Sequence, residues 1–190
     1  FILWTWSKHA FHYFIFFMRK VILQLAVSLD GFIEGPHGEF DWCLTDDDYG
    51  MSDFYKRIDA IFIGRKSYEV ALSMGDNAFP GLPPLKEYVF SNSLKHLPGN
   101  GILVNEDLFE EVNTIKNSPG KDIWLYGGAA LTSSFINMGL VDEMALAVHP
   151  ILLGSGKSLL RNIPGRKSLQ LVHTQTYPSG LVMLSYKFLK

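Results

Sequence analysis

Apolar residues in this chain come in short, almost unbroken runs, each closed by glycine or a polar turn and most followed by an amphipathic stretch. The first run, Val21-Ile22-Leu23-Gln24-Leu25-Ala26-Val27, fits a strand covered on both faces better than one with a wet side. A loop with Asp30-Gly31 and Gly35-Pro36 follows. Asp46 to Ile58 then reads as a helix, with acids in its first turn and Lys56-Arg57 in its last, as the helix dipole favours. Ala60-Ile61-Phe62-Ile63 is a second buried strand ending at Gly64, and Lys66 to Met74 returns as helix. The grammar repeats with strands at Glu87 to Phe90 and Ile102 to Val104, a helix from Leu108 to Lys116, a strand at Ile123 to Tyr126, and a helix from Gly127-Gly128 to Met138. Such alternation predicts a mainly parallel sheet. After Gly139 the pattern changes: Glu143 to Val148, Leu169 to Thr176 and Leu181 to Phe188 read as strands with no helix between them, the last two as a hairpin across Pro178-Ser179-Gly180. The expected class is α/β, a mixed, mainly parallel sheet flanked by helices, with a C-terminal antiparallel hairpin.

Phe1 to Phe17 differ from the rest, with aromatics packed around Ser7, Lys8, His9 and His12. The run is shorter than the roughly twenty apolar residues of a membrane span, and it lacks the basic start and small-residue cleavage site of a secretory signal. It is read as an extension outside the fold, with Met18 as the natural start and residues 18–190 as one domain. A packing helix and a membrane-associating stretch are the rival readings. With 190 residues, 47% of them apolar, the chain can bury a real core. A formal net charge of −2 without blocks of one sign disfavours nucleic acid or a membrane surface as partner. The single cysteine, Cys43, excludes an internal disulfide and a thiolate zinc cluster, so no metal is expected and a reducing compartment, the cytoplasm, fits best.

Two turns carry the candidate chemistry, since parallel sheets collect ligands where strands end and helices begin. Gly64-Arg65-Lys66-Ser67 offers a sharp turn, two cations and a hydroxyl at a helix start, which are phosphate ligands; Ser67 as a cap and two solvated cations are the bland alternative. Tyr126-Gly127-Gly128-Ala129-Ala130 removes every large side chain that would hold a pyrophosphate away from backbone N–H groups. A third polar turn, Ser91-Asn92 with Lys95, could meet a ribose phosphate. The cations, and the lack of an acid placed for a ribose 2′-hydroxyl, favour NADPH over NADH.

Ser28-Leu29-Asp30-Gly31, Gly64-Arg65-Lys66-Ser67-Tyr68-Glu69, Gly127-Gly128, Gly139-Leu140-Val141-Asp142-Glu143 and Pro150-Ile151-Leu152-Leu153-Gly154-Ser155-Gly156-Lys157, in that order, resemble one family from Met18 to the C-terminus. It is the reductase domain of the bifunctional riboflavin-biosynthesis deaminase/reductase, of dihydrofolate-reductase-like three-layer fold, and this chain looks most like its stand-alone relatives. The resemblance implies NADPH-dependent hydride transfer to a pyrimidine- or pterin-like small molecule, such as 5-amino-6-(5-phosphoribosylamino)uracil, and pairing as a homodimer. It implies a nicotinamide near Ala26 and Val27, with Asp30, Trp42 and Tyr126 toward substrate and Asp30 or Asp48 as proton-handling groups; an Asx turn before Gly31 is the other reading of Asp30. Tyr126 stands where the riboflavin enzymes usually carry glutamate, and the zinc motif of a deaminase is missing. Dihydrofolate reductase is the second reading, although Trp42-Cys43-Leu44-Thr45 lacks the proline expected there; a cofactor-binding module without turnover is the third.

Overall fold

The computed structural model describes residues 18–75 and 78–189. The expectations for Phe1 to Phe17 lie outside the described residues. The first apolar run forms β1 (Val21–Ser28), followed by a short β2 (Phe32–Glu34), α1 (Met51–Arg57), β3 (Ile58–Gly64) and α2 (Arg65–Met74). Next come β4 (Lys86–Phe90), β5 (Ile102–Val104), α3 (Leu108–Lys116), β6 (Asp122–Gly127) and α4 (Ala129–Asn137), and the chain closes with β7 (Glu143–His149), β8 (Lys157–Ser158), β9 (Leu169–Thr176) and β10 (Val182–Phe188).

Eight strands form one sheet in the order β5-β4-β3-β6-β1-β7-β10-β9, and β2 pairs with β8 apart from it. From β5 to β7 neighbours run parallel; β10 is antiparallel to β7 and to β9. Helices cover both faces. Val21, Leu23, Ile123, Leu125 and Phe62 point to one side, where they bury Val112 and Ile115 of α3 and Phe135 and Ile136 of α4. Ile58, Ile61 and Trp124 on the other side pack against Met51, Phe54 and Tyr55 of α1, and Ile63 and Val89 pack against Tyr68 of α2. Three-layer packing follows, because strands buried on both faces need helices on both, and it agrees with the fold that the resemblance implies.

The first helix is a correction to the sequence reading. It starts at Met51 rather than Asp46, since Tyr49 and Gly50 take left-handed φ values of 49° and 80°, which no helix interior accepts. It also ends at Arg57, because Ile58 already belongs to β3. The two short strands β2 and β8 were not foreseen. They join residues far apart in sequence, Phe32 opposite Ser158, and so bring the segment before Leu159 to the tip of β1.

Candidate functional site

The two glycine corners meet. β3 and β6 are parallel neighbours with Ile63 opposite Gly127, so their carboxyl ends emerge side by side. A Cβ placed on Gly64 would lie 3.4 Å from the Gly127 carbonyl oxygen and 3.9 Å from the Gly128 nitrogen. The Gly127-Gly128 peptide bond is cis, and Gly127 holds φ 101°, a value that glycine adopts without penalty. A Cβ on Gly128 would lie 3.3 Å from Ser67 Oγ and 3.8 Å from Lys157 Nζ. The bare backbone of Gly128 therefore faces a hydroxyl and an ammonium across a gap that any side chain would fill. Helices α2 and α4 start from these corners with Gly64 and Gly128 as N-caps, and neither N-terminus carries a side-chain cap among the described residues. Their first-turn N–H groups are left to a ligand or to water.

The remaining turns continue the line along the same sheet edge. Phe90 pairs with Gly64, so Ser91 and Asn92 follow at the next strand tip, where Ser91 Oγ accepts from the backbone of Ser93 and Leu94 and Asn92 is exposed. Arg65 is half-exposed and tied to Glu69 at 2.9 Å, while Lys66 is exposed. On the other side of the double glycine come Ala26 and Val27 of β1; Ala26 is half-buried and pairs with Ala147 of β7, which is buried in a cluster with Tyr49 and Leu181.

Gln24, Ala26 and Ser28 of β1 lie opposite Ala145, Ala147 and His149 of β7, and side chains alternate between faces, so His149 shares the α1 side of the sheet with Ala26. Trp42 meets His149 edge-on with ring centroids 5.3 Å apart. Burial raises the Tyr126 hydroxyl above its ordinary pKa, and Cys43 and Glu34 reinforce the shift, which places both within electrostatic reach. The Cys43 thiol is itself pushed up to about 11 by burial and then by Asp41, and so stays protonated. Trp42 thus lies against His149 of β7, while Tyr126 packs edge-on against Phe79 and Trp124.

Asp30 and Asp48 are both held by hydrogen bonds within the fold. Asp30 accepts from Ser28 Oγ at 2.6 Å, Gly154 N at 2.7 Å and Leu153 N at 3.2 Å. The Ser28 bond, ahead of partial desolvation that opposes it and helped by the two backbone bonds, holds its carboxyl below the usual range. Asp48 accepts from the hydroxyl and N–H of Ser52 in the first turn of α1, and the Ser52 hydroxyl is the main reason its pKa is lowered too. Both carboxylates are held in their charged form, with no stored proton at neutral pH.

The family model described as the RibD C-terminal domain matches residues 19–183. The chain belongs to the RibD C-terminal domain family. It is 46% identical over 177 residues to the uncharacterized protein YyaP of Bacillus subtilis (strain 168), covering 88% of this chain and 94% of that one. A protein of Shewanella sp. PV-4 provisionally named for riboflavin biosynthesis superposes with TM-score 0.80 at 24% identity, over 90% of this chain and 99% of that one. Dihydrofolate reductase of Enterococcus faecalis, solved with NADP(H), superposes with TM-score 0.67 at 14% identity, over 90% and 97% of the two chains.

Within this RibD C-terminal domain fold, sequence reasoning missed Lys157, Glu34 and His149. Lys157 is ion-paired with Glu34 at 2.7 Å and reaches the double glycine only because β8 pairs with β2. His149 Nδ1 bonds to the Ala147 carbonyl at 2.9 Å, and burial lowers the ring's pKa below its ordinary 6.5. The unfolded chain therefore binds the proton first, so the stability due to neutral His149 is complete above about pH 6.5 and declines as pH falls through that value toward the lower folded pKa. In a His149→Phe variant the unfolding free energy should show a shallower fall between about pH 6.5 and 5 than in the parent chain, measured by urea titration. An equal slope in both would contradict the assignment.

Proposed function

We propose that the chain is an NADPH-dependent reductase that delivers hydride to a pyrimidine- or pterin-like ring. The observation that carries the reading is the meeting of the Gly64 and Gly127-Gly128 corners, with two uncapped helix N-termini and the cations Arg65, Lys66 and Lys157 around them. From Ser91 on β4 to Ala26 on β1 and on to β7 the line crosses four strand spacings, about 19 Å. That length suits an extended dinucleotide with separated phosphates.

In this reading Ser67, Ala129, Ala130 and the glycine corners hold the pyrophosphate, and Arg65, Lys66, Ser91 and Asn92 hold the adenosine ribose and its 2′-phosphate. Ala26 leaves room for the nicotinamide with its small side chain, and the Val27 backbone follows it at the strand tip. NADPH supplies the hydride when bound, and the chain supplies alignment. Trp42 and Tyr126 close the substrate side. The lowered pKa values of Asp30 and Asp48 favour positioning over proton donation for both, so the proton comes from solvent or from the substrate's own groups. The family relation supports a riboflavin-type substrate, 5-amino-6-(5-phosphoribosylamino)uracil. The likeness to dihydrofolate reductase supports dihydrofolate as second reading, and stopped-flow oxidation of NADPH with each compound separates them. Pairing through the sheet edge is part of the proposal: β9 is exposed along nearly its whole length, with Leu171 and Val172 each 52% exposed.

The cofactor is tested by thermal shift. NADPH at a hundred times its Kd should stabilise the protein by about 2.7 kcal/mol, NADH should do less at equal concentration, and Arg65→Ala should erase the difference. Equal shifts for the two nucleotides in the parent protein would defeat the choice of NADPH.

A further inference from the structure

The Lys157 ammonium has two neighbours of opposite meaning. On one side is the Glu34 carboxylate at 2.7 Å, directly across the β2–β8 ladder. On the other is the bare backbone of Gly128, where an added Cβ would come within 3.8 Å of Lys157 Nζ and 3.3 Å of Ser67 Oγ. Gly156 makes this placement possible: a Cβ there would run into the Glu34 carbonyl oxygen, so a larger residue would push β8 away from β2. The Lys157 and Glu34 side chains are 34% and 33% exposed, which leaves the ammonium accessible to a second anion.

The surroundings of the pair favour negative charge, since α4 begins at Gly128 without a side-chain cap. Glu34 also faces the crevice. The Tyr126 hydroxyl, whose pKa burial raises first and Cys43 second, is raised further by the Glu34 charge, so the carboxylate lies within electrostatic reach of the residue that leads into the double glycine. A cross-strand ion pair with no other task would only tie β2 to β8. Here the same ammonium also overlooks the corner assigned to the pyrophosphate, and an anion seated there sets two negative groups against each other over one cation.

We propose that Glu34 competes with the cofactor's phosphate for Lys157, holding the ammonium in the free protein and yielding it on binding, so that the nucleotide is held loosely enough to leave after turnover. The inference rests on the NADPH reading above and names the residue that sets how tightly that cofactor is held. Release of a nucleotide is a common limit on turnover, and a built-in competitor speeds it.

The test measures binding and release. The full chain is titrated with NADPH and with NADP+, and NADP+ dissociation is followed by stopped flow. Glu34→Gln should tighten both nucleotides about three- to fivefold, the range open to a partly exposed ion pair, and the gain should appear as slower dissociation. Lys157→Met should weaken both about tenfold. Adding Glu34→Gln to Lys157→Met should then change affinity by less than about twofold, because no ammonium is left to compete for. A carboxylate that only braces the two strands, or that aims Lys157 at the phosphate, would leave affinity unchanged or lower it in Glu34→Gln. Either result overturns the proposal, and so does a gain as large without Lys157 as with it. Should Glu34→Gln fail to fold, Glu34→Ala takes its place with the same expected gain. A parent chain that binds no NADPH would remove the cofactor reading and this inference together, whereas a parent that binds it and a Glu34→Gln variant that binds no tighter would sink the inference alone.

Discussion

Gly128→Val is expected to remove NADPH binding from a protein that still folds. Gly128 has an ordinary φ of −63°, so the backbone tolerates a side chain there. The gap does not. The added Cβ already comes within 3.3 Å of Ser67 Oγ and 3.8 Å of Lys157 Nζ, and two further methyl groups would lie over the first N–H groups of α4. A phosphate seated at that corner loses its backbone donors and its approach to the ammonium together, and affinity should fall by well over tenfold, since each charge-assisted bond is worth about 1.5–3 kcal/mol. The measurement is the NADPH-induced rise in melting temperature, large in the parent chain and absent in the variant. Gly127→Ala makes the contrast. Its φ of 101° and a Cβ 2.8 Å from Thr132 Oγ1 should lower the melting temperature with no ligand present. A Gly128→Val protein that responds to NADPH like its parent would mean that the corner holds no phosphate.

The second large effect concerns stability. Asp142→Ala should destabilise the fold by about 3–5 kcal/mol, a fall of roughly 6–20 °C in melting temperature for a chain of this length. The Lys116 side chain is only 3% exposed, and its ammonium sits 2.6 Å from Asp142 Oδ2. The same oxygen accepts from Val21 N at 2.9 Å, so one carboxylate secures α3 and the start of β1. Removing it leaves a buried charge and a backbone donor stranded. Asp142→Asn combined with Lys116→Met keeps an acceptor for Val21 and removes the charge, and it should recover most of the loss. A melting temperature within about 2 °C of the parent for Asp142→Ala alone would refute the argument.

Much of the fold was legible because its signals are local. Helices α2, α3 and α4 and strands β1, β3, β6 and β9 were placed to within one or two residues, with β1, β3 and β6 marked by runs of buried apolar residues and the glycines that follow them. The start of α1 was misplaced because Asp46, Asp47 and Asp48 look like a first helical turn. Asp48 is instead the acceptor that receives Ser52 from outside the helix, and Tyr49 and Gly50 turn the chain the other way. Strands of three and two residues, such as β2 and β8, have no periodicity to read. The glycine corners were visible for the same reason that they are useful: a missing Cβ is written in the sequence. Lys157 and His149 gave no such sign. Lys157 is one cation among seventeen basic residues until β8 folds it against Glu34, 123 positions earlier. His149 follows a run of small apolar residues, and its meaning comes from an indole on another segment.

Asp30 adds a side-chain tie between two parts of the molecule that the backbone bonds of Leu29 to Ile151 and of Leu159 to Gly31 also join. By gripping the N–H groups of Leu153 and Gly154 it fastens the tip of β1 to the loop that leads into Lys157. The strand tip at Ser28 and the loop that leads to the Lys157 ammonium are therefore held as one bracket, and a displacement of either is passed to the other.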